Sequence, residues 1–296
     1  MTDQSGSQAA PWLQVVVPAH NEQARLPAGL AQLCAKAEAL PDGVEVLVVD
    51  SASTDQTAQV VLDWPAGPVA VRLLRCDRPG KGAAVRAGLL ATRAPYVGFC
   101  DADMAADLSA LDHALWQLQA GRQVVIGSRA HAGSVVEVRH SAVRKAGAAV
   151  FRTAAHLVAA GPRDTQCGFK FFAGPLARRA AADLTATGFA FDVELIARCK
   201  QLGADMVEIP VNWRDIPGST FSVWRHSLTA FAEIAGIWLA LRVQSAWTDG
   251  DADLAAATAC PVPGQVKGPA RVPGTLLQAS AGPVLPASVS TSVSAP

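Results

Sequence analysis

The stretch "YVGFCDAD", residues 96–103, runs from an apolar segment straight into two acids one residue apart. Tyr96, Val97, Gly98, Phe99 and Cys100 form the short continuous apolar run of a strand covered on both faces. Asp101 and Asp103 follow at once. In extended backbone residues i and i+2 point the same way, so the two carboxylates can converge on one point. Converging carboxylates repel unless a cation or a proton lies between them. Mg²⁺ is typically held by one or two carboxylates together with substrate phosphates. The pair therefore reads as a bridge through Mg²⁺ or Mn²⁺ to a diphosphate. The competing explanation, a solvated turn of acids with no task, fits less well at the end of a buried strand.

The same pattern recurs upstream. "LQVVVP" (13–18), "EVLVVD" (45–50) and "VAVRLLR" (69–75) read as strands, and "EQARLPAGLAQLCAKAEAL" (22–40) and "GAAVRAGLLATR" (82–93) as helices. Ser53 or Thr54 can cap a helix after the second strand. Continuous apolar strands alternating with helices predict an α/β fold, a mostly parallel sheet with helices on both faces. Ligands bind such sheets outside the carboxyl ends of the strands. The strands end in Pro18-Ala19-His20-Asn21-Glu22, Asp50-Ser51-Ala52-Ser53 and Asp101-Ala102-Asp103, which should meet on one rim. Asp50 can accept hydrogen bonds from a nucleobase or ribose, or simply end a strand. "GKG" (80–82) opens a helix, and its N–H groups with Lys81 suit a phosphate. The GxxxxGK[ST] spacing of a P-loop is absent.

The second half is less regular. "VVIGSR" (124–129) and "MVEIPVNW" (206–213) read as strands, "FDVELIARCKQLG" (191–203) as a helix, and "VRHSAVRKAGAAVFRTAAHLVAAG" (138–161) as a long helical stretch. From about Thr248 to Pro296 Pro, Gly, Ala, Ser and Val dominate without amphipathic period, a composition expected to stay disordered. Residues 1–11 are expected to be loose as well. The folded unit is then 12–247, with a nucleotide-binding half (12–103) and an acceptor half (104–247).

Twenty-five basic and 25 acidic side chains cancel over 296 residues, which argues against a general nucleic-acid binder. Cys34, Cys76, Cys100, Cys167, Cys199 and Cys260 are scattered with no CxxC pair, so reduced thiols in a cytoplasmic setting are expected. The N-terminus lacks a basic region followed by an apolar one, so no signal peptide is expected. No apolar run reaches the roughly 18 residues of a membrane span; the nearest, 227–243, contains Glu233 and Arg242.

The ordered set of stretches resembles a known family. "VVVPAHNE", "VLVVDSASTDQT", "GKGAAVRAG" and "CDADM" are similar to the nucleotide-sugar half of family 2 glycosyltransferases, which have the GT-A fold. "IGSRAH", "DTQCGFKFF", "FDVELI" and "VEIPVNWRDIPGST" resemble the polyprenyl-phosphate sugar transferases, above all the dolichyl-phosphate β-glucosyltransferase branch. The resemblance spans about residues 12–240.

The resemblance implies a role for each matching residue. Asp50 would contact the nucleobase, with Pro18, Asn21, Glu22, Ser51, Lys81, Gly82 and Ala102 completing the nucleotide-sugar site. Asp101 and Asp103 would engage the metal and diphosphate. Arg129 and Arg144 would hold phosphate groups, Asp164 to Lys170, with Gln166, would form a loop near sugar and acceptor, and Arg214 and Ser219 would add acceptor contacts. Asp192 and Glu194 would lie at the sugar end, as hydroxyl binders rather than nucleophiles. The implied activity is metal-dependent, inverting transfer of a hexose from a nucleotide sugar to a polyprenyl or dolichyl phosphate. Ala105 stands where mannosyl relatives tend to carry a metal-binding Gln, which favours UDP-glucose over GDP-mannose. Thr220 stands where the family usually has Lys after "PGS"; Arg214 and Arg225 are the candidates to supply that charge. Rival readings are GDP-mannose as donor, a soluble phosphorylated acceptor, and a non-catalytic membrane-surface relative.

A prenyl acceptor lies in a bilayer, so the protein is expected at the cytoplasmic face of the membrane as a peripheral protein. Arg139, His140, Arg144, Lys145, Arg152 and His156, interspersed with apolar residues, give 138–161 the pattern of a basic interfacial helix. A helix over 224–246, with Phe231, Ile234, Ile237, Trp238 and Leu241, could add a second contact. The alternative for both is packing on the sheet.

Overall fold

Seven strands form the main sheet of the computed structural model, in the order β3-β2-β1-β4-β7-β5-β8. The described residues are 10–40, 43–137, 153, 155, 158–159, 161–214 and 233–241. The segment 248–296, Arg144, Ser219, Thr220, Arg225 and nearly all of 138–161 lie outside them.

The strands are β1 (Leu13–Ala19), β2 (Val44–Ser51), β3 (Ala70–Cys76), β4 (Tyr96–Cys100), β5 (Val124–Ser128), β6 (Val135–Glu137), β7 (Phe169–Ala173), β8 (Met206–Pro210) and β9 (Asn212–Arg214). The helices, numbered along the chain, are α1 (Leu26–Glu38), α2 (Thr57–Leu62), α3 (Lys81–Ala91), α4 (Ala110–Gln119), α5 (Gly174–Ala182) and α6 (Phe191–Gln201). β1 pairs in parallel with β2 and β4, and β2 with β3. β7 runs antiparallel to both neighbours, β4 and β5, while β8 is parallel to β5. One reversed strand thus sits inside an otherwise parallel sheet.

Alternation along each strand splits the core between the two faces. Val15, Val17, Val46, Val48, Phe169 and Phe171 face α1 and α4, against Leu30, Leu33, Leu111 and Leu115. Val16, Val49, Phe99, Ile126 and Phe172 face α3, α5 and α6, against Val85, Ala181 and Ile196. Helical backbone over 233–241 joins the second face through Ile234, Ile237 and Leu241. Complete burial of each such side chain contributes roughly 1.5–3 kcal/mol before the cost of ordering the chain.

Two boundaries and two further helices differ from the sequence-based expectations. α1 begins at Leu26 rather than residue 22: Pro27 is tolerated only in a first turn, and Glu22 carbonyl accepts the Arg25 and Leu26 N–H groups in the turn before it. The single strand expected over 206–213 divides at Pro210. Val211 N–H donates to Ser134 Oγ at 3.1 Å, and β9 leaves the main sheet to pair with β6. Helices α4 and α5 stand in segments for which the sequence pattern above predicts no element.

Candidate active site

Reversal of β7 decides what meets at the rim. The carboxyl ends of β1, β2, β4 and β5 point one way, and the amino end of β7 joins them there. The loop 164–168 before β7 therefore reaches the same edge as Asp50, Asp101 and Arg129. Backbone strain collects along this edge. Asn21, Ala52 and Met104, each just past a rim strand, have φ of 54°, 52° and 48°. Asn tolerates the left-handed region; Ala and Met do so only where their surroundings impose it.

Asp101 is seated from three sides. Its backbone N–H donates to Gly168 carbonyl at 3.2 Å, which fastens the end of β4 to the start of β7. A Cβ at Gly168 would fall on the Asp101 carboxylate, so only glycine leaves that carboxylate its place. Lys81 Nζ lies 2.5 Å from Asp101 Oδ1. Burial pushes the Asp101 carboxyl up, but Lys81, Lys170 and Arg129 together hold it below the ordinary range. Asp103 goes the other way: burial and the Asp101 charge raise it, against the Ala105 N–H and Arg25. Asp103 Oδ1 accepts the Ala105 N–H at 3.1 Å, and Arg25 Nη1 is 3.5 Å from Oδ2. Arg25 also pairs with Glu22, which burial raises nonetheless. Asp101 and Asp103 are thus crowded like charges, a condition that a divalent cation relieves. No cluster of three or more His, Cys, Asp or Glu side chains suited to a metal occurs among the described residues. The pair fits a cation whose remaining ligands come from a diphosphate.

Beside the carboxylates lie two committed ion pairs. Arg129 holds Asp164 through both ends of its fork, Nε to Oδ2 at 2.7 Å and Nη2 to Oδ1 at 2.9 Å, and its backbone N–H adds a third bond at 2.9 Å. Glu208 Oε1 accepts the Arg163 and Asp164 N–H groups, and the Arg129 guanidinium lies 5.6 Å from the Trp213 ring centre. Burial opposes the Asp164 charge, yet Arg129 keeps that carboxyl below its usual range. Deeper, Lys170 is fully buried on β7, with Nζ 2.5 Å from Asp192 Oδ1 and 2.6 Å from Cys167 carbonyl. Burial raises Asp192 in spite of Lys170 and Lys81.

Several other residues singled out from sequence act as supports. Glu194 is fully buried on α6. It accepts N–H groups of Thr185 and Ala186 at 3.0 and 2.8 Å and the Arg198 guanidinium at 2.6 Å. The loop it holds presents Thr187 carbonyl to Gly82 N–H at 2.8 Å. The expected phosphate cradle at "GKG" is therefore partly spent: Gly80 N–H donates to Ser51 Oγ and Gly82 N–H to Thr187, which leaves the Lys81 ammonium as the charged element. Gly80 has φ +121°, a conformation that favours glycine at this turn. Asn21 Oδ1 accepts Thr54 N–H at 2.8 Å, tying the β1 and β2 loops, and Asp50 Oδ1 accepts Ser53 N–H at 3.2 Å. Pro18 lies past the last pairing with β4, and Ala102 is buried between the two acids. Gln166 N–H donates to Asp164 Oδ1, while its side-chain Nε2 is buried with no hydrogen-bond partner among the described residues. Arg214 is exposed and pairs with Glu137 at 3.2 Å. Arg25, Gly168, Glu208 and Trp213 were not picked out from sequence. Gly168, the one residue without a Cβ in "TQCGFKFF", carried a legible signal; the other three did not.

Known proteins resemble this chain in sequence and in fold. The family described as Glycosyl transferase family 2 matches residues 14–175. The chain is 36% identical over 250 residues to the dolichyl-phosphate beta-glucosyltransferase of Drosophila melanogaster, covering 79% of this chain and 76% of that protein. It is 34% identical over 226 residues to the Homo sapiens protein of the same name, covering 70% and 68%. Among solved structures, glucosyl-3-phosphoglycerate synthase from Mycobacterium tuberculosis in complex with UDP aligns with a TM-score of 0.57 at 20% identity, covering 76% of this chain and 80% of that one. The same enzyme has been solved with Mn²⁺ and UDP-glucose. The fold is the Rossmann-like GT-A fold, and the chain belongs to glycosyl transferase family 2.

Proposed function

We propose that this glycosyltransferase moves glucose from UDP-glucose to a dolichyl or other polyprenyl phosphate, using Mg²⁺ or Mn²⁺, at a membrane surface. The observation that carries the reading is the single rim on which Asp50, Asp101, Asp103, Arg129 and the 164–168 loop meet. The names of the relatives point to the same donor sugar and acceptor.

The chemistry asks little of a base. A prenyl phosphate is already an anionic nucleophile. Its oxygen forms the new bond to the anomeric carbon, the bond to the donor's diphosphate breaks, and the electron pair leaves with UDP. One displacement inverts the centre, so an α-linked donor gives a β-linked product. What the protein supplies is in-line placement and stabilisation of the departing charge. Asp101 and Asp103 would hold a divalent cation, which would offset the charge of the departing diphosphate. Lys81 adds a further positive charge beside them. Arg129 spends Nε and Nη2 on Asp164, which keeps the guanidinium in one orientation and leaves Nη1 to meet a phosphate. Asp192, expected at the sugar end, is buried under the rim and fixes Lys170 instead.

The test is transfer by purified protein of labelled sugar from UDP-glucose or GDP-mannose to a short-chain polyprenyl phosphate in detergent, with Mg²⁺, Mn²⁺ or chelator, beside Asp103→Asn. Lipid-linked glucose that needs the metal and falls about 100-fold or more in the variant is expected. Product from GDP-mannose alone would replace the donor, and donor hydrolysis without lipid product would replace the acceptor.

A further inference from the structure

Lys81 occupies Oδ1 of the Asp101 carboxylate, while Oδ2 lies closer to the face of Gly168. Its Nζ is 2.5 Å from Asp101 Oδ1, and Asp101 is its only ion-pair partner among the described residues. Asp101 is seated against Gly168. Its backbone is bonded to Gly168, and its oxygens lie over the face of that glycine. The other nearby cations are committed elsewhere, Lys170 to Asp192 and Cys167 carbonyl, Arg129 to Asp164. The backbone under Lys81 is fixed as well, through Gly80 N–H to Ser51 and Gly82 N–H to Thr187. What remains free to move is the four-carbon stem of Lys81, a flexible point charge that passes beside the Phe191 ring at 6.0 Å.

We propose that Lys81 is the resident counter-ion of Asp101, and that it moves to the donor's diphosphate when a divalent cation takes its place on the carboxylate. The inference rests on the metal–diphosphate reading above. A bare cation arriving at Asp101 would displace the ammonium and strand it in a half-buried site with a doubly charged neighbour. A diphosphate arriving together with the cation gives Lys81 a new partner at the same moment. Lys81 therefore couples the two, so each raises the affinity of the other by the same factor. The uncomplexed enzyme keeps its carboxylate oriented and takes up little metal on its own.

The test compares wild type, Lys81→Met and Lys81→Arg. Mn²⁺ binding is read from the electron paramagnetic resonance signal of free Mn²⁺, with and without UDP, and UDP binding by calorimetry, with and without Mn²⁺. Wild type should bind Mn²⁺ alone weakly and gain about tenfold or more in Mn²⁺ affinity when UDP is present. Lys81→Met should bind Mn²⁺ alone about fivefold or more tighter than wild type, with weaker UDP binding and a correspondingly smaller mutual effect. Lys81→Arg, which keeps the charge, should stay close to wild type. If Lys81→Met fails to fold, Lys81→Gln carries the same comparison. Wild type that couples UDP and Mn²⁺ while Lys81→Met gains nothing for Mn²⁺ alone would overturn this inference and leave the functional reading standing. Wild type that binds no UDP with Mn²⁺ would overturn both.

Discussion

Asp164 and Gly168 carry tasks that a sequence motif alone does not separate. Asp164 orients Arg129, and its carboxyl is held below the usual range, so its stabilising effect has a definite pH sign. The effect is complete above the unfolded value, about 3.9, and is lost as pH falls through the lower folded value. Urea unfolding of wild type and Asp164→Asn should therefore differ by about 2 kcal/mol near pH 6 and begin to converge only below about pH 4. A gap that widens in acid would contradict the assignment. Gly168 acts sterically, by having no Cβ where Asp101 lies. Gly168→Ala should keep the fold at a cost of about 1–3 kcal/mol, yet lose Mn²⁺-dependent UDP binding by calorimetry. Unchanged binding would mean that Asp101 does not need that seat.

At the scale of elements, β7 and α6 are joined by a buried charge pair rather than by apolar contact alone. Lys170 and Asp192 are both essentially inaccessible to solvent. Removing one partner of such a pair leaves the other charge stranded, which costs about 3–5 kcal/mol. Lys170→Met should destabilise by that amount in chemical unfolding, and Lys170→Met with Asp192→Leu should recover much of the loss. A double variant as unstable as the sum of the singles would show the two groups acting independently. The elements also mark what sequence could convey. β1, β2 and β4 were legible because each is a continuous apolar run ending in polar residues. α4 was legible in principle, with Ala110, Leu111, Ala114, Leu115 and Leu118 on one buried side, yet its segment had no assignment. The direction of β7 was not legible, since "FKFF" packs equally well either way up and only its neighbours fix its sense. Nor was the inward turn of Glu194: a helix N-terminus rich in acids looks alike whether the acids face a sugar or a loop.

For the molecule as a whole, the rim was foreseen for the nucleotide half and only partly for the other half. Asp50, Asp101, Asp103 and Arg129 follow strand ends, whereas Asp164 and Lys170 join them only because of a strand reversal that lies 60 or more residues downstream of Asp101. The expected interfacial role of 224–246 is altered in part. Ile234, Ile237 and Leu241 are used by the core, which leaves Trp238 and Leu239, 42% and 59% exposed, as the outward apolar side chains of 233–241. No helix among the described residues is long and apolar enough to cross a membrane. If the surface around 233–241 meets lipid, Trp238→Ser with Leu239→Ser should leave unfolding free energy within about 0.5 kcal/mol of wild type. Co-sedimentation with anionic vesicles should nevertheless fall several-fold. Equal sedimentation would move the contact elsewhere.

The central claim is a single in-line displacement on that rim by an anionic lipid phosphate. Proton NMR of the lipid-linked sugar made from UDP-glucose reads the outcome at the anomeric carbon itself. The account predicts a β-linked product from the α-linked donor. An α-linked product would mean that configuration is retained, which a single in-line displacement cannot give, and would contradict it.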